Sequence, residues 1–166
     1  MDFQELYKQK LVTPAEAVKV IKSGDWVEYG SFSGGVIALD KALAARKDEL
    51  TDVKVRACTR AAPLEIIKAD PAAEHFTYNN WHFSGLDRKL HDQGSCWYMP
   101  VFYHEVPKYY REVIDTDVAM LVGTPMDEHG YINFGPQNSH TKAICDKAKV
   151  VIMEINPNVP RCLGGR

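Results

Sequence analysis

Two almost entirely apolar runs constrain this chain more than any other feature. DVAMLVGT (Asp117–Thr124) and KVVIMEIN (Lys149–Asn156) flank SHTKAICDKA, which has helical spacing. Runs this short and this continuous are the pattern of strands covered on both faces, as in a parallel sheet between helix layers. The same alternation extends toward the N-terminus. Thr13-Pro14-Ala15-Glu16 has the residues of a capping box with proline at the first helical position. It opens a helix expected to carry Ala17, Val18 and Ile21 on one face and to stop at Ser23-Gly24. Asp25–Ser31 reads as a strand, Gly34-Gly35 as a turn, and Val36–Arg46 as a helix.

Further along, Val53–Thr59 (VKVRACT) reads as a strand, Pro63–Ala69 as a short helix and His75–Trp81 as a strand. A polar segment, SGLDRKLHDQG, leads into CWYMPVF, and EVPKYYREVI is helical with Pro107 in its first turn. The expected fold class is therefore α/β: an open, largely parallel sheet flanked by helices. The 166 residues fit one domain, at roughly 150 residues per domain. The tail NPNVPRCLGGR has neither helix nor strand pattern and reads as a boundary.

A net charge of −2 gives no electrostatic case for nucleic acid or an anionic membrane. No apolar run approaches the ~18 residues that span a bilayer, and MDFQELYKQK lacks a signal-peptide core, so a cytoplasmic protein is expected. Cys58, Cys96, Cys145 and Cys162 form no CxxC pair and are expected to be reduced.

The chemistry is concentrated in PMDEHGYINFGPQNSH (Pro125–His140), directly after the first apolar run. Ligands of open α/β sheets bind outside the carboxyl ends of strands, so this loop is the first candidate site. Asn138 or Ser139 is expected to cap the following helix. Asp127, His129 and His140 have metal-ligand chemistry, but their spacing fits no metal motif, and no metal is expected. His75, His82, His91 and His104 are scattered and are expected to be exposed or satisfied by local partners.

SFSGG (Ser31–Gly35) is neither a GxGxxG fingerprint nor a P-loop, and Ser33 only loosely resembles a nucleophile elbow. Cys58 and Arg60 close the second strand, where a side chain could reach a ligand. The simpler expectation is a buried thiol beside a surface guanidinium. The aromatics at Tyr78, Trp81, Trp97, Tyr98, Phe102, Tyr103, Tyr109 and Tyr110 are expected in core and interface positions.

The run GTPMDEHGYINFGPQNSHTKAICDKAKVVIMEINPNVPRCLGG, with the earlier TPAEAVKVIKSGDWVEYG, strongly resembles the acetyl-CoA hydrolase/transferase family. Within it, the butyryl-CoA:acetate and 4-hydroxybutyrate CoA-transferases are the nearest branch. The resemblance covers essentially the whole chain. It implies a fold of two similar open α/β domains, with residues 1–166 as the N-terminal one and the catalytic-glutamate domain absent. It also implies transfer of CoA between carboxylic acids through an acyl-glutamyl anhydride and a glutamyl-CoA thioester.

The nucleophilic glutamate belongs to a Gly-x-His-Ser/Thr-Glu segment of the second domain, which this sequence lacks. Glu28, Glu65, Glu105, Glu128 and Glu154 stand in no such motif, so no catalytic residue is expected in these residues. Gly34, Gly35, Arg60, Met126, Gly130, Tyr131, Asn133, Phe134, Gln137, Asn138 and His140 are expected to face the cleft. Acyl-CoA and a small carboxylate are expected as substrates, with no permanently bound cofactor. The second domain, on the same or a separate chain, and a homo-oligomer are the expected partners. Acetyl-CoA hydrolysis, or a binding and assembly role without chemistry, are the alternatives.

Overall fold

The computed structural model describes residues 2–164. Six strands form one sheet: β1 (Trp26–Ser31), β2 (Val53–Cys58), β3 (Phe76–Asn80), β4 (Trp97–Tyr98), β5 (Val118–Gly123) and β6 (Val150–Ile155). Their spatial order is β4-β3-β2-β1-β5-β6, and every neighbouring pair is parallel. Among the described residues, seven α-helices flank the sheet: α1 (Phe3–Lys10), α2 (Pro14–Ala17), α3 (Ala38–Ala44), α4 (Glu65–Ala69), α5 (Gly85–Asp92), α6 (Val106–Glu112) and α7 (Thr141–Lys147).

The chain moves outward from β1 to β4, then returns and moves outward the other way from β5 to β6. Right-handed crossovers then place α3, α4 and α5 on one face of the sheet and α6 and α7 on the other. Alternate residues of β5 show both faces at work. Val118 and Met120 join the core under α3, whereas Ala119 and Leu121 join Val106, Tyr110 and Ile144 of α6 and α7.

The second face also holds charge. Glu28 of β1 and Arg56 of β2 are register partners, and their side chains form an ion pair exposed by only about 1%. Tyr110 of α6 donates to the other Glu28 oxygen at 2.6 Å, and Trp81 Nε1 donates to Tyr110 Oη at 3.2 Å. The Arg56 guanidinium lies 4.4 Å from the Trp26 ring centre and also donates to the Asp115 carbonyl. Burial raises the Glu28 carboxyl above its ordinary value, against the pull of Arg56 and Tyr110.

Four expectations need correction. The helix opened by Thr13 is α-helical only to Ala17 and runs on as a 3₁₀ turn to Val20, ending short of Ser23-Gly24. Arg46 ends it by taking the Val18 and Ile21 carbonyls. Thr13 does cap, accepting from Glu16 N, but the Glu16 carboxylate pairs with Lys19. The polar segment after β3 is helix α5, nucleated by a capping box between Ser84 and Asp87.

The third correction concerns β6, which is an edge strand, with Val150 and Val151 39% and 41% exposed. It pairs only with β5, so an apolar sequence suited to two covers finds them only in part. Finally, neither Asn138 nor Ser139 caps α7 with its side chain. His140 occupies the cap position, and the Asn138 carbonyl takes the Thr141 N–H instead. All four cysteines are free thiols.

Arg56→Met would leave Glu28 buried without its cation, and a loss of about 3–5 kcal/mol in urea-unfolding stability is expected. The double variant Glu28→Gln/Arg56→Met should lose clearly less than the two single losses added together.

Candidate functional site

The strand order reverses between β1 and β5, which is where an open α/β sheet forms its crevice. The segments leaving these two strands, Phe32–Ile37 and Thr124–His140, meet there. Gly34 lies against Gln137, so close that a Cβ on Gly34 would stand 2.8 Å from the Gln137 Cβ. On the β2 side, the Arg60 guanidinium packs against Gly35, and a Cβ there would stand only 1.7 Å from Arg60 Nη1. Arg60 Nη2 donates to the Val36 carbonyl at 3.1 Å. Gly34, Gly35, Arg60 and Gln137 are thus gathered in one place.

Arg60 is 2% exposed, so the expectation of a surface guanidinium is overturned. The space left by the absent Gly35 side chain accommodates it, with the Tyr29 ring 5.7 Å away. The Arg60 backbone N–H is fixed by Asp87, which also accepts from Ser84 N and Tyr78 Oη. Two buried polar atoms beside this turn, Arg60 Nε and Ser31 Oγ at the end of β1, have no hydrogen-bond partner among the described residues. Cys58 is buried as expected, and burial raises its thiol.

The other residues of the polar loop are placed differently. Met126 and Gly130 line a groove of about 630 Å³ between α1 and β6, with Phe3 of α1 seated on Gly130. Asp127 organises the loop by accepting from His129 N and Tyr131 N at 3.0 and 2.8 Å and pairing with Arg161. Asn133 staples the tail: its amide donates to the Cys162 carbonyl at 2.9 Å and accepts from Cys162 N and Gly135 N. Tyr131 is 70% exposed, Asn138 is exposed and Phe134 is half-buried.

His140 is buried under the loop, with its ring stacked on Tyr110 at 5.4 Å. Its Nδ1 shares a 2.9 Å hydrogen bond with Ser139 Oγ, which is in turn bonded to Tyr103 Oη. Burial pushes the imidazole down to about 4. Among the described residues, no three His, Cys, Asp or Glu side chains converge as a metal site. Likewise, no helix among them is long and apolar enough to cross a membrane.

Glu154 of β6 carries a role that sequence reasoning did not assign. Its carboxylate accepts from Ile37 N and Leu39 N at the start of α3. The signal was present in the sequence, since Glu154 is the one charged residue in β6. Of the exposed aromatics, Trp97, Tyr98, Phe102 and Tyr103 form a run that reaches the cleft loop through Tyr103.

The sequence matches the acetyl-CoA hydrolase/transferase N-terminal domain over residues 1–166. The chain belongs to this family. It is 54% identical to a butyryl-CoA:acetate CoA-transferase of Anaerostipes caccae, over 99% of this chain and 37% of that protein. It is 46% identical to a probable butyrate:acetyl-CoA coenzyme A-transferase of Syntrophomonas wolfei, over 97% of this chain and 36% of that protein. The crystal structure of RipA from Yersinia pestis superposes with a TM-score of 0.89 at 31% identity, covering 99% of this chain and 40% of RipA. The chain therefore spans little more than a third of the curated relatives it matches.

Two outcomes follow from this geometry. Gly35→Ala should destabilise the domain by about 1–3 kcal/mol in urea unfolding, through overpacking against Arg60. Gly85→Ala, where a Cβ meets nothing, should be neutral or stabilising. His140 stays neutral when folded down to about pH 4, whereas an unfolded histidine takes its proton near 6.5. Between these values the unfolded chain binds more protons, so stability falls as pH falls. The site's contribution is about 3 kcal/mol in all and saturates below its folded value. The difference in unfolding midpoint between the parent and His140→Gln, followed from pH 7 to 4.5, should show this slope.

Proposed function

We propose that these residues are the N-terminal domain of a short-chain acyl-CoA:carboxylate CoA-transferase of the butyryl-CoA:acetate type. The observation that carries this reading is the 54% identity across 99% of the chain to a protein of that named activity. Acyl-CoA and small carboxylates are then the substrates, with no resident cofactor. The Gly34-Gly35 turn, Gln137 and the buried Arg60 form one wall of the acyl site.

The nucleophile is a glutamate of the second domain. Its carboxylate attacks the thioester carbonyl and expels CoA thiolate, leaving an acyl-glutamyl anhydride. The thiolate then attacks the glutamyl carbonyl and releases the first carboxylic acid as its anion, giving a glutamyl-CoA thioester. The acceptor carboxylate repeats these two steps in reverse order and leaves with CoA. Backbone N–H groups and amide donors at the turn suit the oxyanions formed on the way.

The state of this domain's own glutamates supports an outside nucleophile. Glu28 is paired and buried, Glu154 is engaged by α3, and the Glu128 side chain is 86% exposed beside His129. The partly uncovered β6 and the exposed run from Trp97 to Tyr103 offer apolar surface for the second domain.

Residues 1–166 alone should give no CoA transfer from butyryl-CoA to acetate, and the complete protein should give acetyl-CoA and butyrate in equal amounts. Butyrate and free CoA formed without acetate would instead identify a hydrolase. Turnover by the isolated residues would remove the two-domain site altogether.

A further inference from the structure

We infer that Glu154 is a positioning residue for the glycine turn, acting from the edge strand β6 through the peptide unit Val36–Ile37. This inference rests on the turn being part of the acyl site.

The two ends of that single peptide unit are held by opposite charges. Its carbonyl, on Val36, accepts from the Arg60 guanidinium at 3.1 Å. Its N–H, on Ile37, donates to the Glu154 carboxylate at 3.2 and 3.3 Å to the two oxygens. The same carboxylate accepts from Leu39 N at 2.9 Å. A peptide dipole has its negative end at oxygen and its positive end at N–H, so a cation at one end and an anion at the other both favour one orientation. The arrangement holds the plane against rotation, and the path of Gly34-Gly35 immediately upstream is fixed with it.

Local sequence does not supply this restraint. Ile37 occupies the cap position of α3 and makes no side-chain cap bond. An apolar residue there leaves the first N–H groups of the helix without the usual Ser, Thr or Asp acceptor. Glu154 provides the acceptor from 117 residues away in sequence. In β6 it is the only side chain able to do so, since its neighbours are Val150, Val151, Ile152, Met153 and Ile155. Glycines are the least self-ordered residues of the chain, so a turn built from two of them takes its shape from such external restraints.

The test uses the complete protein with Glu154→Ala and Glu154→Gln. Peptide-level hydrogen exchange should show residues 32–41 exchanging about tenfold faster in Glu154→Ala, the loss of a charge-assisted hydrogen bond. Peptides from β2 and β5 should be unchanged. Butyryl-CoA:acetate transfer should lose about tenfold in kcat/KM, mainly in kcat, as for an interaction needed in the transition state. Glu154→Gln, which keeps one acceptor oxygen, should recover part of both effects.

Unchanged exchange over 32–41 would overturn the inference. So would faster exchange across the whole sheet, which marks a general stabilising role, or faster local exchange with full activity. If the parent protein transferred no CoA, the functional reading would fail, and the exchange arm would still decide whether Glu154 holds the turn.

Discussion

The first strand of the sheet is also a central one, and most of the architecture follows from that placement. Each later strand must be added on one side of β1 or the other. The chain fills the β2–β4 side first and the β5–β6 side second. Because crossovers share one hand, changing sides also changes the face on which the helices lie. The connections leaving β1 and β5 therefore diverge to opposite faces and open a crevice at their carboxyl ends. Past Trp26, β1 is buried along its length, and its Glu28 is buried on the α6 face. The Glu28–Arg56 pair and the Tyr110 hydroxyl answer that burial with charge and hydrogen bonds. They tie β1, β2 and α6 together at the base of the sheet.

At the crevice, polar residues divide into two groups that look alike in sequence. One group spends its hydrogen bonds on the loop itself. Asp127 and Asn133 saturate their oxygens with backbone N–H groups and bind Arg161 and Cys162 of the tail. The other group, Gln137 with Gly34, Gly35 and Arg60, borders the turn and leaves buried donor capacity at Arg60 Nε. Dense polarity in a loop after a buried strand thus reflects both a binding wall and the internal bonding needed to hold an irregular segment still.

The strands were legible because apolar runs and period-two patterns are local properties, and β1, β2, β3, β5 and β6 all lie within the expected segments. Helix α5 was not, because only Leu86 and Leu90 mark its apolar face, although Ser84 and Asp87 already spelled out its capping box. At the site, the sharing of one cleft by the glycine turn and the loop followed, as an expectation, from the family resemblance and not from a local pattern. The inward turn of Arg60 did not, since it depends on a missing Cβ one strand away. Glu154 escaped for the same reason. A charge in an apolar strand announces a partner but cannot name one 117 residues distant.

Under the proposed function, the acids around the turn bear directly on an incoming nucleophile. An uncompensated carboxylate nearby would raise the pKa of an incoming glutamate and hold it protonated near neutral pH. Here each acid is already answered by donors. Asp40 accepts from Tyr29 Oη and Glu65 N, Asp87 from Arg60 N, Ser84 N and Tyr78 Oη, and Glu154 from Ile37 and Leu39. The Arg60 guanidinium adds a buried positive charge on the same side. A wall made this way presents donors and apolar surface with its negative charge spent internally. Under the proposed function, that is an electrostatic setting in which a glutamate from a second domain arrives ionised and attacks a thioester.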